Sequence, residues 1–270
     1  MKNFLTTFAL YDEPYKQELY ERFIRPRFQK YANLHDLKFI ELNKTNFNIK
    51  QYHPEISLKE NLHFNRWLLF KELLDSNTLK DGDLIYNYDA DIFIKDYKAF
   101  FIPDKSFTYA LDSGNTHCFG FFVLKITPFT RVLIENIVSR ERWLKLRNFV
   151  FFNEHDNKHE TLHIADQQMY QTCAGIKPHS WQSFEEIENK GLHSYVTEHT
   201  IFSLPELLEN ITILPVEWNT THLIEETGNL EQNIRNKYDI NHTTRDKVKF
   251  RHFAGGQPWR FQAWEDEFEK

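Results

Sequence analysis

The chain is poor in cysteine, in runs of positive charge and in long apolar stretches. Cys118 and Cys173 are the only cysteines among 270 residues, too few for a disulfide framework or a Cys-based metal site. The net charge is −6 and no long basic run occurs, which argues against binding a nucleic-acid backbone. No apolar run reaches the ~18 residues that a membrane-spanning helix needs. The opening segment, residues 1–10, is short and is followed at once by Asp12 and Glu13, unlike a signal peptide or anchor. The expected location is therefore cytoplasmic, with at most peripheral contact at the inner face of a membrane. There is no internal repeat and no convincing linker. A single domain over residues 1–270 is expected, with a polar, Asn-rich surface excursion around residues 225–247, and nothing in the sequence sets the oligomeric state.

What the chain does have is rings. Hydrophobic content of 41% and charge of 27% are ordinary for a globular protein, but aromatics reach 16%, with 25 Phe, 12 Tyr and 6 Trp. Their first use is a core packed with rings in place of Leu and Val; their second is a wall on which a base or sugar stacks.

Residues 3–10 read as a strand, residues 16–31 as a helix and residues 37–42 as a second strand, which is the opening of a parallel α/β sheet. Residues 60–74 carry Leu62, Phe64, Trp67, Leu68, Phe70, Leu73 and Leu74 at helical spacing. A turn at Asp81-Gly82-Asp83 leads into a strand over residues 84–88. Residues 119–126 form a strongly apolar strand, residues 128–146 a helix, and another helix begins near Asp166. The stretch 153–160 is polar. Residues 211–216 form a last short strand.

The strand over residues 84–88 runs straight into Asp89-Ala90-Asp91, and Ile92-Phe93-Ile94 follow. An Asp-x-Asp triplet arises about once by chance in a chain of this kind, so the pattern alone is weak. Its position is informative. Two like charges inside an apolar run are costly unless something positive compensates them. Open α/β sheets also bind ligands beyond the carboxyl ends of their strands. A divalent metal carrying a diphosphate fits both facts, and hard oxygen ligands suit Mn²⁺ or Mg²⁺.

A second motif competes. His159-Glu160-Thr161-Leu162-His163 matches H-E-x-x-H, in which two histidines on one helix face bind zinc and the glutamate activates water. Its flanks, Asn153 to Lys158, offer no apolar stripe to bury such a helix. A solvated loop or helix start is the expectation, with a zinc hydrolase as the lesser alternative.

The ordered elements resemble a known family. Asp89-Ala90-Asp91, the pair Asp166-Gln167, Leu214-Pro215-Val216-Glu217-Trp218-Asn219 and the terminal His252-Phe253-Ala254-Gly255-Gly256-Gln257-Pro258-Trp259 follow the order seen in glycogenin-like glycosyltransferases. These are the family 8 enzymes, which include bacterial lipopolysaccharide galactosyl- and glucosyltransferases. The resemblance implies a GT-A fold, a Rossmann-like α/β domain with a mixed, mainly parallel central sheet flanked by helices. It also implies a metal-dependent transfer of a hexose from a UDP-sugar to an acceptor hydroxyl on a glycan, lipid-linked or polysaccharide acceptor, with retention of anomeric configuration.

By the same resemblance Asp89, Asp91 and His252 hold Mn²⁺ or Mg²⁺, and Asp89 also touches the ribose. Ala9, Tyr11 and Tyr15 hold the uracil. Arg66 reaches the donor sugar, with Lys71 as its competitor. Asp166 bonds the sugar hydroxyls, and Gln167 lies near the anomeric carbon. Gly255 and Gly256 let the backbone approach the diphosphate. Three departures from the family pattern stand out. Gln257 occupies the place of a lysine that stabilises the departing diphosphate, which raises a second reading as a catalytically degenerate nucleotide-sugar-binding protein. Cys118-Phe119-Gly120 stands where the family has Asn-x-Gly, and Gln168 follows the Asp-Gln pair in place of an aspartate.

Overall fold

A helical run opens with Pro14 in its first turn and carries a second proline, Pro26, in its interior, and the backbone accommodates that second one. A proline cannot donate a helical hydrogen bond and its ring crowds the preceding turn. Between α1 (Pro14–Leu19) and α2 (Arg25–Leu34) the chain widens into a π-turn at Tyr20–Ile24, where the Arg25 amide bonds the Tyr20 carbonyl. The helix expected over residues 16–31 thus exists with a wide turn ahead of its proline.

The computed structural model describes residues 2–11, 13–112, 117–148, 150–153, 158–161, 164–176, 198–221, 223, 243–254 and 258–268. The chain forms two compact units. The first comprises Met1–Asn48, Gly82–Lys125 and Ile211–Lys270, and the second Ile49–Asp81 and Ile126–Asn210. No composition shift marks the crossing points. The expected excursion at 225–247 falls largely outside the described residues.

The first unit is built on a six-stranded sheet. Its strands are β1 (Asn3–Ala9), β2 (Lys38–Asn43), β3 (Leu84–Tyr88), β5 (Phe107–Leu111), β6 (His117–Lys125) and β9 (Ile211–Leu214), in the order β2-β1-β3-β6-β5-β9. Three of the five pairings are parallel, and β6 alone runs against the others. The expected mixed, mainly parallel sheet is what forms. All five residues of β3 are buried, as a central strand covered on both faces requires. β5 has no counterpart in the sequence reading, although four of its five residues are buried. A separate antiparallel pair joins β4 (Ile92–Ile94) to β10 (Phe250–His252).

In the second unit, α3 (Leu58–Asp75) starts at Ser57, whose hydroxyl accepts from the Glu60 amide while Glu60 bonds back to Ser57. It packs on α4 (Pro128–Ile137), which buries Thr130, Leu133, Ile134 and Ile137 at one helical face. The expected helix over residues 128–146 is two helices, because Ser139 caps α5 (Arg140–Arg147) by accepting from the Arg142 amide. The polar stretch 153–160 is also corrected. Val150–Asn153 (β7) and Lys158–Thr161 (β8) form an antiparallel pair. Among the described residues this unit also contains the helices α6 (Asp166–Cys173) and α7 (Leu204–Asn210), and α8 (Phe261–Phe268) belongs to the first unit. Among the described residues no helix is long and apolar enough to cross a membrane.

Candidate functional site

The strand order places a switch point between β1 and β3. From β1 the chain crosses to β2 on one side, whereas β3 lies on the other side and runs parallel. Such a divergence opens a crevice at the carboxyl ends of the two strands. Tyr11 follows β1 at that edge and Asp89 follows β3.

An aromatic cluster fixes the segments that meet there. Tyr88, Phe121, Trp218 and Phe250 pack ring against ring, with centroid separations of 5.1 Å for Tyr88–Phe121, 5.4 Å for Phe121–Phe250 and 5.4 Å for Trp218–Phe250. Each contact contributes about 0.5–1.5 kcal/mol beyond the area it buries. Tyr88 precedes Asp89, and Phe250 lies two residues before His252. The abundance of rings thus serves the core first, and the core holds the site.

Backbone bonds complete the frame. The Asp89 amide donates to Gly120 O at 2.8 Å and the Ile92 amide to Asp89 O at 3.0 Å, a tight turn that presents both carboxylates. In the β4–β10 ladder His252 pairs with Ile92, and the Phe253 amide donates to Asp91 O at 3.0 Å. The His252 amide donates to Thr220 O at 2.9 Å. As a result one ligand atom from each of Asp89, Asp91 and His252 lies within 4.8 Å of the others. His252 Nε2 is 3.3 Å from Asp91 Oδ1.

The electrostatics follow from burial. His252 is 5% exposed. Burial pushes its imidazole down, but the charge and hydrogen bond of Asp91, helped by Cys118, reverse this and hold it well above its ordinary value. The Tyr11 phenol is raised well above its usual value, by burial first and then by Asp91 and Asp89. Tyr11 therefore stays neutral beside the acidic pair. Two carboxylates and one imidazole converging this closely are a donor set suited to Mn²⁺ and acceptable to Mg²⁺. Among the described residues this is the one such group.

No family model and no curated protein matches the chain. Solved structures similar to it are glycosyltransferases. One is involved in glycosylation of the major capsid of PBCV-1, with 10% identity, TM-score 0.47, and 98% of this chain and 99% of that one covered. Another is mouse xyloside xylosyltransferase 1, with 11% identity, TM-score 0.46 and coverage of 96% and 99%. A third is the galactosyltransferase LgtC in complex with donor and acceptor sugar analogs, with 12% identity, TM-score 0.41 and coverage of 98% and 96%. None of these scores reaches one half, so the case for function rests on the residues.

The other expected residues are distributed as follows. Ala9 is fully buried at the end of β1, and Tyr15 is half exposed on α1. Gly255, Gly256 and Gln257 lie outside the described residues. In the second unit Arg66 and Asp166 meet each other. Arg66 Nε donates to Asp166 Oδ2 at 2.8 Å and Nη2 lies 2.7 Å from the same oxygen, while Trp67 Nε1 donates to it at 2.7 Å. Gln167 follows in the first turn of α6, its amide bonding Asp166 Oδ1 at 2.9 Å. Gln168 accepts from the Ala165 amide at 3.1 Å, so it helps to start that helix. Lys71 bonds Glu135 and Asp75. His159 and Glu160 belong to β8, not to a helix, which removes the geometry the zinc signature needs, and His163 lies outside the described residues.

Sequence reasoning missed Gly120 as a structural necessity. A Cβ there would stand 2.4 Å from His252 Cε1. The signal was a glycine inside an apolar strand, which marks a close approach.

Proposed function

We propose that the chain is a metal-dependent glycosyltransferase of the GT-A type, related to the family 8 enzymes. It moves a hexose from a UDP-sugar to a hydroxyl of a glycan, lipid-linked or polysaccharide acceptor, and it retains the anomeric configuration. The observation that carries this reading is the convergence of Asp89, Asp91 and His252 at the carboxyl edge of the switch point between β1 and β3.

Asp89 and Asp91 with His252 would hold Mn²⁺ or Mg²⁺, Asp89 also facing the ribose. When bound, the cation supplies positive charge against the diphosphate as it departs. Tyr11 stands where the base would enter, its neutral ring beside the acidic pair. The buried frame of β3, β4 and β10 keeps these groups fixed, so that little reorganisation is required during transfer.

The test is a melting-temperature screen of the full chain with UDP, UDP-glucose, UDP-galactose and UDP-N-acetylglucosamine, with and without Mn²⁺, followed by an assay of UDP release. A ligand at a hundredfold excess over its Kd stabilises by about 2.7 kcal/mol, or about 5 °C for a chain of this size. A shift that requires Mn²⁺, together with UDP release, supports the reading. No shift with any nucleotide under either condition refutes it. Gln257 in the place of the family lysine favours one second reading, a nucleotide-sugar-binding protein without turnover. Mn²⁺-dependent binding with no UDP release from any donor would favour that one.

A further inference from the structure

We infer that Cys118 and Gly120 are positioning residues for His252, fixing its ring so that Nε2 faces Asp91 and Asp89. The inference rests on the metal reading of that group. Cys118 and Gly120 sit two residues apart in β6, in the stretch where its register with β5 shifts between Tyr109 and Leu111. Both meet the same imidazole. A Cβ at Gly120 would stand 2.4 Å from Cε1, 2.6 Å from Nδ1 and 3.1 Å from Nε2, so the ring lies directly over the Gly120 backbone. Cys118 Sγ lies 3.8 Å from Nδ1. On the other side Nε2 is 3.3 Å from Asp91 Oδ1.

This arrangement gives each ring nitrogen a separate role. An imidazole binds a metal through an unprotonated nitrogen, and the partner of the other nitrogen decides which one that is. With Nε2 facing the carboxylates, the Nδ1–H is directed to the Cys118 sulfur. Gly120 offers no side chain to compete for it. Cys118 lies outside the group of three whose ligand atoms are within 4.8 Å of one another, so it acts through His252 and not on the ion. A thiol is a weak acceptor, and a hydroxyl of similar size can replace it.

The experiment uses the full chain and its Cys118→Ala and Cys118→Ser variants. Mn²⁺ affinity is measured by direct titration. The ¹⁵N signal of His252 Nδ1, identified by its loss in His252→Gln, is read in metal-free protein and with Mg²⁺. Loss of an orienting partner typically lowers metal affinity 10–100-fold, so Cys118→Ala should weaken Mn²⁺ binding by about that factor. It should also shift the Nδ1 signal and hasten its exchange with solvent. Cys118→Ser should restore both. An affinity for Cys118→Ala within about twofold of wild type, with an unchanged Nδ1 signal, overturns the inference. Asp91→Asn separates the two levels. If it abolishes Mn²⁺ binding while Cys118→Ala does not, only the role of Cys118 falls. If Asp91→Asn binds Mn²⁺ as wild type does, the metal reading falls and this inference with it.

Discussion

His252 Nε2 stands 3.3 Å from Asp91 Oδ1, although the two residues come from segments far apart in the chain. The pairing of β4 with β10 enforces this, since His252 lies opposite Ile92 and Asp91 immediately precedes it. Asp91→Asn keeps the shape of the side chain and removes its charge. In the proposed enzyme this should abolish the Mn²⁺-dependent rise in melting temperature. UDP release should fall by about 10²–10³-fold, the usual cost of losing one preorganised electrostatic contact. Comparing wild type and variant with and without Mn²⁺ checks both, and a variant that keeps its Mn²⁺ dependence contradicts the assignment.

Gly120→Ala tests how closely the site is packed. The added Cβ would fall 2.4 Å from His252 Cε1, nearer than real contacts allow, and His252 is buried in a strand paired with β4. Overpacking of this sort costs roughly 1–3 kcal/mol. Chemical denaturation should show that loss, and Mn²⁺ should no longer stabilise the variant. Wild-type stability together with wild-type Mn²⁺ binding would mean that the imidazole has room to move.

Much of this was legible in the sequence because it depends on local pattern. β1, β3 and β6 are mostly apolar strands, and α3 shows helical spacing. Asp89 and Asp91 stood out because charge interrupts an apolar run. His252 is different. Only its terminal motif pointed to it, and no local rule could bring β10 to β4. β5 escaped because Phe107–Leu111 is short and lacks clear alternation, and its strand character comes from pairing with β6 and β9. The β7–β8 pair escaped because polar residues dominate β8. The partnership of Arg66 with Asp166 joins residues a hundred positions apart, and it depends on tertiary packing alone.

Asp166 offers a measurement that separates a structural role from a functional one. It is 2% exposed and accepts from Arg66 and Trp67, so removing it leaves a buried guanidinium without its carboxylate. Breaking a buried ion pair from one side costs about 3–5 kcal/mol, whereas replacing both partners with apolar residues is often neutral. Asp166→Ala should therefore unfold at markedly lower denaturant, and Arg66→Met with Asp166→Leu should recover part of the loss, since the buried Trp67 N–H still loses Asp166 as an acceptor. If the double variant regains stability but not UDP release, the Arg66–Asp166 pair has a role in the reaction as well. If it regains both, Asp166 is structural only.

His53 makes the second unit sensitive to acid. Its ring is fully buried, stacks on Trp143 at 4.0 Å and meets Phe64 at 4.5 Å. Arg140 Nη1 lies 3.3 Å from Nδ1, which makes Nδ1 the acceptor, and Nε2 is buried without a hydrogen-bond partner among the described residues. Burial first, and then the Arg140 charge, lower the His53 pKa from 6.5 to about 4. The folded state therefore binds the proton less readily than the unfolded chain. The stability from the neutral ring is fully present above pH 6.5 and is lost as pH falls from there to about 4. The loss is of order 2–3 kcal/mol. His53→Phe keeps the stack and removes the titrating group. Denaturation of wild type and variant at pH 7, 5.5 and 4 should show the wild type losing stability over this range relative to His53→Phe, and parallel losses would exclude His53 as the cause.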